Sequence, residues 1–113
     1  MKVSERMIAA KAIITDPLKW TQGYYARDNA GEITEAETTE AVCFCSIGAL
    51  HRVGEFNWHS EDTDPAEVYL NGATDNNWIV EYNDTHTHEE VMQVWDKAIA
   101  EALADEQALE VEA

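Results

Sequence analysis

Residues 41–50 are apolar or small at nearly every position, and this run constrains the fold more than any other part of the chain. A segment that is apolar on all sides must be buried at the centre of a domain. It continues through residues 51–53 to Gly54, and this length favours a helix over a strand. We therefore predict a central helix over residues 41–53, in which Gly48 lets a second backbone approach closely.

Two more helices are predicted to pack on the central one. Apolar residues at positions 3, 7, 10 and 14 form one helical stripe, and Pro17 ends it, so a first helix is predicted at about 3–15. The sequence of residues 87–90 is a capping box, and an apolar stripe follows it. This pattern predicts a last helix over about 88–104, with residues 105–113 either extending it or fraying.

The remaining segments predict smaller elements. Asp64 and Pro65 are typical of a helix start and predict a short helix to about residue 72. Residues 20–34 predict a hairpin with its turn at 28–31, whereas residues 78–84 have strand-like composition and predict a strand or an extended connection. The predicted fold is mainly α (α+β), with three to four packed helices and one small β-hairpin, in a single domain of residues 1–113.

The charge of the chain is concentrated in its second half. Residues 1–54 carry six basic and seven acidic residues, a net of −1, whereas residues 55–113 carry one basic and sixteen acidic residues, a net of −15. A surface of this kind repels phosphate and attracts basic protein surfaces. The pattern argues against direct nucleic-acid binding and predicts a basic protein surface as the partner.

The lengths of the apolar runs and the spacing of the cysteines predict where in the cell the protein resides. No stretch approaches the ~20 apolar residues of a membrane span, and Lys11 interrupts the N-terminal apolar run. We therefore expect a cytoplasmic protein with no membrane partner. Cys43 and Cys45 lie two positions apart, where a disulfide would be strained, so both are predicted to be reduced thiols.

The same cysteines are candidate metal ligands and candidate nucleophiles. Together with His51 or His59 they offer zinc ligands, but the spacing and the lack of a second ligand pair favour two small core residues. No feature selects a histidine to activate either thiol. We predict no metal, no cofactor and no catalytic residue, and a non-enzymatic role is favoured over an enzymatic one.

Two sets of residues are candidate sites. An acidic segment with an aromatic anchor predicts contact with the partner, and its members are Glu61, Asp62, Asp64, Glu67 and Trp58. A second set would surround a pocket in a small-ligand-binding protein or enzyme, and it comprises Gln22, Arg27, Asn83 and Asp84. The Asn83-Asp84 pair also fits a turn-fixing role. A third alternative is a structural protein that associates with a second copy of itself, as a homodimer.

Several short sequence words occur together in this chain. They are Trp20-Thr21-Gln22-Gly23 with Ala26-Arg27, Cys45 with Gly48-Ala49-Leu50, Asn83-Asp84, and Glu89-Glu90-Val91 with Asp96-Lys97-Ala98-Ile99. In this combination, residues 5–103 resemble small bacterial and phage proteins of domain-of-unknown-function family 6197. The resemblance implies a shared architecture and a bacterial or phage origin, and it carries no activity. A phage protein of this kind would mimic the phosphate field of nucleic acid on a host defence or regulatory protein.

Overall fold

The structure is a computed structural model that describes residues 1–57, 60–75 and 77–112, without the side chains of 111 and 112. These residues form five α-helices and three two-residue strands, joined by loops. The elements are α1 (Val3–Ile14), β1 (Ala26–Arg27), β2 (Ile33–Thr34), β3 (Cys43–Phe44), α2 (Ser46–Val53), α3 (Pro65–Ala73), α4 (Ile79–Thr85) and α5 (His88–Glu112). A 3-10 helix at Pro17–Lys19 follows α1. The predicted mainly α class with a small β element is confirmed.

Helices α1 and α5 lie antiparallel. Their contacts run in opposite order along the two helices, from Lys2 with Glu110, through Ser4 with Glu106 and Lys11 with Asp96, to the Ile14 carbonyl with His88. Both helices were predicted at these places from their apolar stripes. Those stripes form the core between them, with Met7, Ala10 and Ile14 of α1 and Val91, Trp95, Ala98 and Ala102 of α5 fully or almost fully buried.

The predicted central helix over 41–53 is wrong in its first part. Residues 43–44 form β3, which pairs antiparallel with β1, and Cys45 is the N-cap of α2. A run without periodicity fits a buried strand as well as a buried helix, and here the free edge of β1 provides backbone partners for residues 43–44. The predicted hairpin, β1 with β2, therefore supplies two strands of a three-stranded sheet in the order β2-β1-β3.

Residues 78–84 are a second correction, because most of this segment lies in helix α4 rather than in a strand. The side-chain oxygen of Asn71 accepts a hydrogen bond from the backbone N–H of Ile79 at 2.7 Å and so satisfies one donor at the start of the helix. Ile79 and Asn83, one turn apart, are the buried side chains of α4. Tertiary packing here outweighs the β-propensity of the segment.

The remaining helix boundaries follow their caps. Asp64 accepts a hydrogen bond from the N–H of Ala66 at 3.0 Å and begins α3 as predicted. Thr87 and Glu90 exchange the two hydrogen bonds of a capping box, Thr87 N to Glu90 Oε1 at 2.9 Å and Glu90 N to Thr87 Oγ1 at 3.2 Å. Helix α5 starts where predicted, and it extends through the segment left open between extension and fraying.

Gly48 allows α2 to lie directly on the β1 end of the hairpin. A Cβ atom at this position would overlap the carbonyl oxygen of Tyr25 and lie 2.7 Å from its carbonyl carbon. The backbone N–H of Cys45 also donates to that carbonyl oxygen at 3.1 Å. The predicted close approach is confirmed, and it holds Tyr25 at the surface beside the first turn of α2.

Candidate functional site

Asn83 is the polar centre of the fold and is almost completely buried. Its side-chain oxygen accepts hydrogen bonds from the Trp20 indole N–H at 2.9 Å, and from the backbone N–H and hydroxyl of Ser46 at 3.0 and 2.8 Å. Its amide nitrogen donates to the Thr21 carbonyl at 3.0 Å. A single side chain thereby joins α4, the segment before the sheet and the start of α2.

Gln22 and Asp84, two residues of the predicted pocket, extend this network. The Gln22 side-chain nitrogen donates to the backbone carbonyls of Asn83 and His86, both at 3.0 Å. The Asp84 carboxylate accepts from the backbone N–H of Gly23 at 2.8 Å. The four predicted pocket residues do come together, but the hydrogen bonds of Gln22 and Asn83 are used to hold segments of the chain to one another.

Arg27, the fourth predicted pocket residue, uses its side chain for contacts with its own hairpin and the segment just before it. The three nitrogens of its guanidinium donate to the Thr21 hydroxyl, the Gly31 carbonyl and the Gln22 carbonyl at 3.1–3.3 Å. The central carbon of the guanidinium lies 5.2 Å from the centre of the Tyr24 ring. Arg27 therefore fixes the hairpin against the segment that precedes it.

Two cavities meet beside this network, and they share Tyr25 and Val80 in their walls. The Asp84 cavity has a volume of about 220 Å³ and is lined by Gly23, Tyr24, Tyr25, Cys45, Val80 and Asp84. The Glu67 cavity has a volume of about 310 Å³. Its acidic lining residues are Asp62, Asp64 and Glu67, its aromatic ones are Tyr25, Phe56 and Trp78, and the others are Ile47, His51, Thr63, Asn71 and Val80.

Cys45, in the wall of the Asp84 cavity, is a capping group. Its sulfur accepts a hydrogen bond from the N–H of Gly48 at 3.3 Å, in the first turn of α2. Burial raises the pKa of the thiol to about 11. A thiol in this state is protonated at neutral pH and is a poor nucleophile, whereas its sulfur caps the first turn of α2. Both cysteines are free thiols, as predicted.

Asp64 lies in the wall of the Glu67 cavity but is already engaged. It is buried, and its carboxylate accepts hydrogen bonds from the Arg6 guanidinium at 2.6 Å and from the N–H of Ala66 at 3.0 Å. Arg6 also donates to the carbonyls of Leu50 and Gly54 at the end of α2. Asp64 was predicted to contact the partner, whereas its carboxylate is paired with Arg6 in a buried ion pair that joins α1, α2 and α3.

Glu67 and Asp62 present the other carboxylates of this cavity. Glu67 is half-buried, and burial, followed by the nearby charge of Asp64, raises the pKa of its carboxyl group. Within the described ranges, no group donates a hydrogen bond to either carboxylate and no cation pairs with it. Among the described residues, no positive charge therefore offsets the cost of desolvating the Glu67 carboxylate.

The aromatic walls of this cavity were missed by the sequence analysis, which named only Trp58 as an aromatic contact residue. Trp78 is 66% exposed and Tyr25 is 50% exposed. The Tyr25 ring lies 5.0 Å from that of His51, and Phe56 lies under the Arg6 guanidinium at 5.8 Å. The three aromatic residues come from three separate loops and helix ends, so no sequence spacing brings them together.

The other predicted partner-binding residues do not line the cavity or lie outside the described residues. Glu61 is exposed and does not line the cavity. Trp58 and the zinc candidate His59 lie outside the described residues. In the residues the structure does describe, no three side chains are grouped as metal ligands, and no helix has both the length and the apolar character to cross a membrane.

Comparison with known proteins places the chain in a family. The profile of a family of unknown function, DUF6197, matches residues 1–101 of the 113. This chain belongs to DUF6197. No curated protein and no solved structure matches this DUF6197 chain significantly. The words that first indicated the family, Trp20 to Gly23 and Asn83-Asp84, are the two sides of the Asn83 network, so in this chain they hold the architecture together.

Proposed function

We propose that this DUF6197 protein binds a cationic surface of a second protein through the carboxylates that follow Gly54, centred on the Glu67 cavity. The observation that carries the proposal is the pair Asp62 and Glu67, two carboxylates without a counterion from the described chain, in the wall of an aromatic-lined cavity. Charge complementarity of this kind raises association rates and selects partners.

Part of the acidic charge is neutralised inside the molecule. Five carboxylates of the second half form ion pairs: Glu55 with the N-terminal amine, Glu110 with Lys2, Asp64 with Arg6, Asp96 with Lys11 and Asp75 with Lys97. Four of these five cationic groups belong to the first eleven residues. Helix α1 and its N-terminus therefore act as an internal counterion, and the anionic surface is smaller than the sequence indicates.

The remaining charge is strongest where α3 begins. The carboxylates without a hydrogen bond or an ion pair from the described residues are, in the second half, those of Glu61, Asp62, Glu67, Glu81, Glu89 and Glu101. Three of them lie within residues 61–67, next to the Glu67 cavity. This part of the surface combines unpaired negative charge with exposed aromatic rings, a combination that suits a cationic protein surface better than a small anion or a nucleic acid.

The narrower form of the proposal is nucleic-acid mimicry on a host protein. Carboxylates in place of phosphates would occupy the nucleic-acid-binding site of a basic host defence or regulatory protein. In that case duplex DNA and this protein would compete for the same partner.

A charge-matched pair of variants tests the proposal. The triple variant Glu61→Gln/Asp62→Asn/Glu67→Gln removes three carboxylates beside the cavity, and Glu32→Gln/Glu35→Gln/Glu40→Gln removes three exposed carboxylates from the first half. Immobilised protein is used to capture partners from a bacterial lysate, and the affinity of the purified partner is then measured from ~50 to ~500 mM salt.

The expected partner is a basic protein whose affinity falls as salt rises. The cavity triple variant should lose at least about tenfold in affinity, and the first-half variant should bind as the wild type does. Capture of no basic protein, or equal losses in the two variants, contradicts the proposal. Duplex DNA that displaces the partner supports mimicry, whereas a ternary complex rules it out.

A further inference from the structure

The Glu67 cavity is built from the groups that recognise a guanidinium. We propose that it is a specificity pocket for one arginine side chain of the partner, with Glu67 as the carboxylate that pairs with it and Trp78 and Tyr25 as the rings that flank it. This inference rests on the proposed function, since it names the residue type that the cationic partner presents.

The first argument is that the cavity wall already holds one arginine by this chemistry. Arg6 pairs with Asp64 at 2.6 Å and lies 5.8 Å from the centre of the Phe56 ring. Planar guanidinium groups combine carboxylate pairing with stacking on aromatic rings. Glu67, Trp78 and Tyr25 bring the same residue types, a carboxylate and aromatic rings, to the lining of the cavity, and no ion pair within the described residues engages Glu67.

The second argument concerns the other cations that an acidic cavity attracts. A hard metal ion needs several converging oxygen ligands, and the described residues contain no group of three metal-ligating side chains. A quaternary ammonium group has no N–H to donate, so it would leave the Glu67 carboxylate without a hydrogen bond. Lysine offers a compact charge without a flat face, so it uses the rings less well than arginine does.

The third argument is charge and size. The lining carboxylates of Asp62, Asp64 and Glu67 contribute three negative charges, and the Arg6 guanidinium that pairs with Asp64 contributes one positive charge, so the balance of these four groups attracts an incoming arginine. A volume of about 310 Å³ accommodates an arginine side chain together with water. Glu67 is half-buried and Trp78 is 66% exposed, so both of these lining side chains are accessible to an incoming group from solvent.

Peptide titration by NMR tests the pocket directly. The probes are acetyl-Gly-Arg-Gly-amide, the lysine peptide, and the citrulline peptide, which has nearly the shape of the arginine peptide without its charge. Backbone amide signals of Tyr25, Asp62 and Trp78 report the site. We expect saturable shifts with the arginine peptide at millimolar concentration, weaker binding of the lysine peptide and no saturable shift with citrulline.

Variants assign the interaction to named side chains. Glu67→Gln keeps the size of the side chain and should weaken the arginine peptide at least about fivefold, and Trp78→Ala should weaken it as well. Glu89→Gln, an exposed carboxylate on α5, is the control and should bind as the wild type does. Equal affinity of Glu67→Gln, or equal binding of the citrulline and arginine peptides, overturns the pocket assignment.

The two proposals fail in different ways. If Glu67→Gln binds the basic partner with wild-type affinity while the triple variant does not, the acidic surface is right and the arginine pocket is wrong. If the arginine peptide saturates the cavity but no basic protein is captured, the pocket stands and the proposed protein partner does not.

Discussion

The side-chain oxygen of Asn83 lies 2.8 Å from the hydroxyl oxygen of Ser46 and accepts a hydrogen bond from it, deep in the protein. The same hydroxyl accepts a hydrogen bond from the Trp95 indole N–H at 3.0 Å. Asn83 and Ser46 thus link α4, the first turn of α2 and the core face of α5 by one chain of hydrogen bonds. Networks that are fully satisfied fix one packing arrangement, because any other arrangement leaves a buried polar group without a partner.

Replacement of Asn83 by alanine should be strongly destabilising. It leaves the Trp20 indole, the Ser46 N–H and the Thr21 carbonyl without their partner, and each buried group costs about 1–3 kcal/mol when unsatisfied. We expect the free energy of unfolding to fall by about 3 kcal/mol or more, measured by urea denaturation. Asn29→Ala, at an exposed position in the hairpin turn, should change it by less than about 0.5 kcal/mol. Equal effects of the two substitutions would argue against the network.

Two glycines in helices offer a second, opposed pair of substitutions. Gly48→Ala places a methyl group against the Tyr25 carbonyl, so α2 must move off the sheet, and we expect a loss of about 2–4 kcal/mol. Gly72→Ala in α3 meets no atom within 4 Å and should stabilise the helix by about 0.5–1 kcal/mol. Thermal unfolding followed by circular dichroism measures both. A stable Gly48→Ala variant would mean that Tyr25 is not fixed by α2, and the shared wall of the two cavities would then be mobile.

The sequence predicted correctly those helices that have a hydrophobic periodicity or a recognisable N-cap. Helices α1 and α5 follow from their stripes, and α3 follows from Asp64 and Pro65. Strand β3 was missed because an apolar run without periodicity has no preferred element until a pairing partner is known. Helix α4 was missed because its aromatic and β-branched residues favour a strand locally, whereas the buried positions, Ile79 and Asn83, follow the helical period.

The candidate site was predictable only in part. The acidic residues near α3 were identified from charge alone, and two of them, Asp62 and Glu67, do line a cavity. The burial of Asp64 depends on Arg6, which lies 58 positions away in the chain. The residues next to Asp64 in the sequence therefore do not indicate this pairing. The aromatic walls come from three separate segments and are recognisable only once the fold brings them together.

The buried pair of Arg6 and Asp64 should be far more important for stability than the exposed pairs of the same helix. Arg6→Met leaves the Asp64 charge buried and removes donors from the Leu50 and Gly54 carbonyls, so we expect a loss of about 3–5 kcal/mol in urea denaturation. Lys2→Met, at the N-cap of α1, breaks an exposed pair with Glu110 of α5 and should leave the free energy of unfolding unchanged within error.

A compensating substitution separates charge burial from packing in this pair. If the uncompensated Asp64 charge causes the loss, Arg6→Met/Asp64→Asn should recover a measurable part of the stability lost in Arg6→Met alone. Asn is also a good N-cap, so α3 keeps its start. If the double variant is no more stable than Arg6→Met, the loss of unfolding free energy comes instead from the missing hydrogen bonds to the Leu50 and Gly54 carbonyls at the end of α2.

The two cysteines should differ sharply in their reaction with iodoacetamide. Burial raises the pKa of the Cys45 thiol to about 11, so the folded state holds it protonated, and at pH 8 only about one molecule in a thousand carries the thiolate. Because this pKa lies above that of an unfolded cysteine, unfolding releases the proton more readily as pH rises, and stability should decline slightly at pH above about 8.5. Cys43 is only half-buried. Mass spectrometry of the native protein at pH 8 should show labelling of Cys43 first.

Cys43→Ser isolates Cys45 and decides whether the Asp84 cavity reaches its thiol. This variant should take up no label over the time in which wild-type Cys43 reacts fully, and it should take up one label in 6 M urea. Rapid native labelling of Cys43→Ser would mean that the first turn of α2 opens in solution. The capping hydrogen bond from Gly48 to Cys45 would then be broken for part of the time, and the Asp84 cavity would be larger than its resting volume of about 220 Å³.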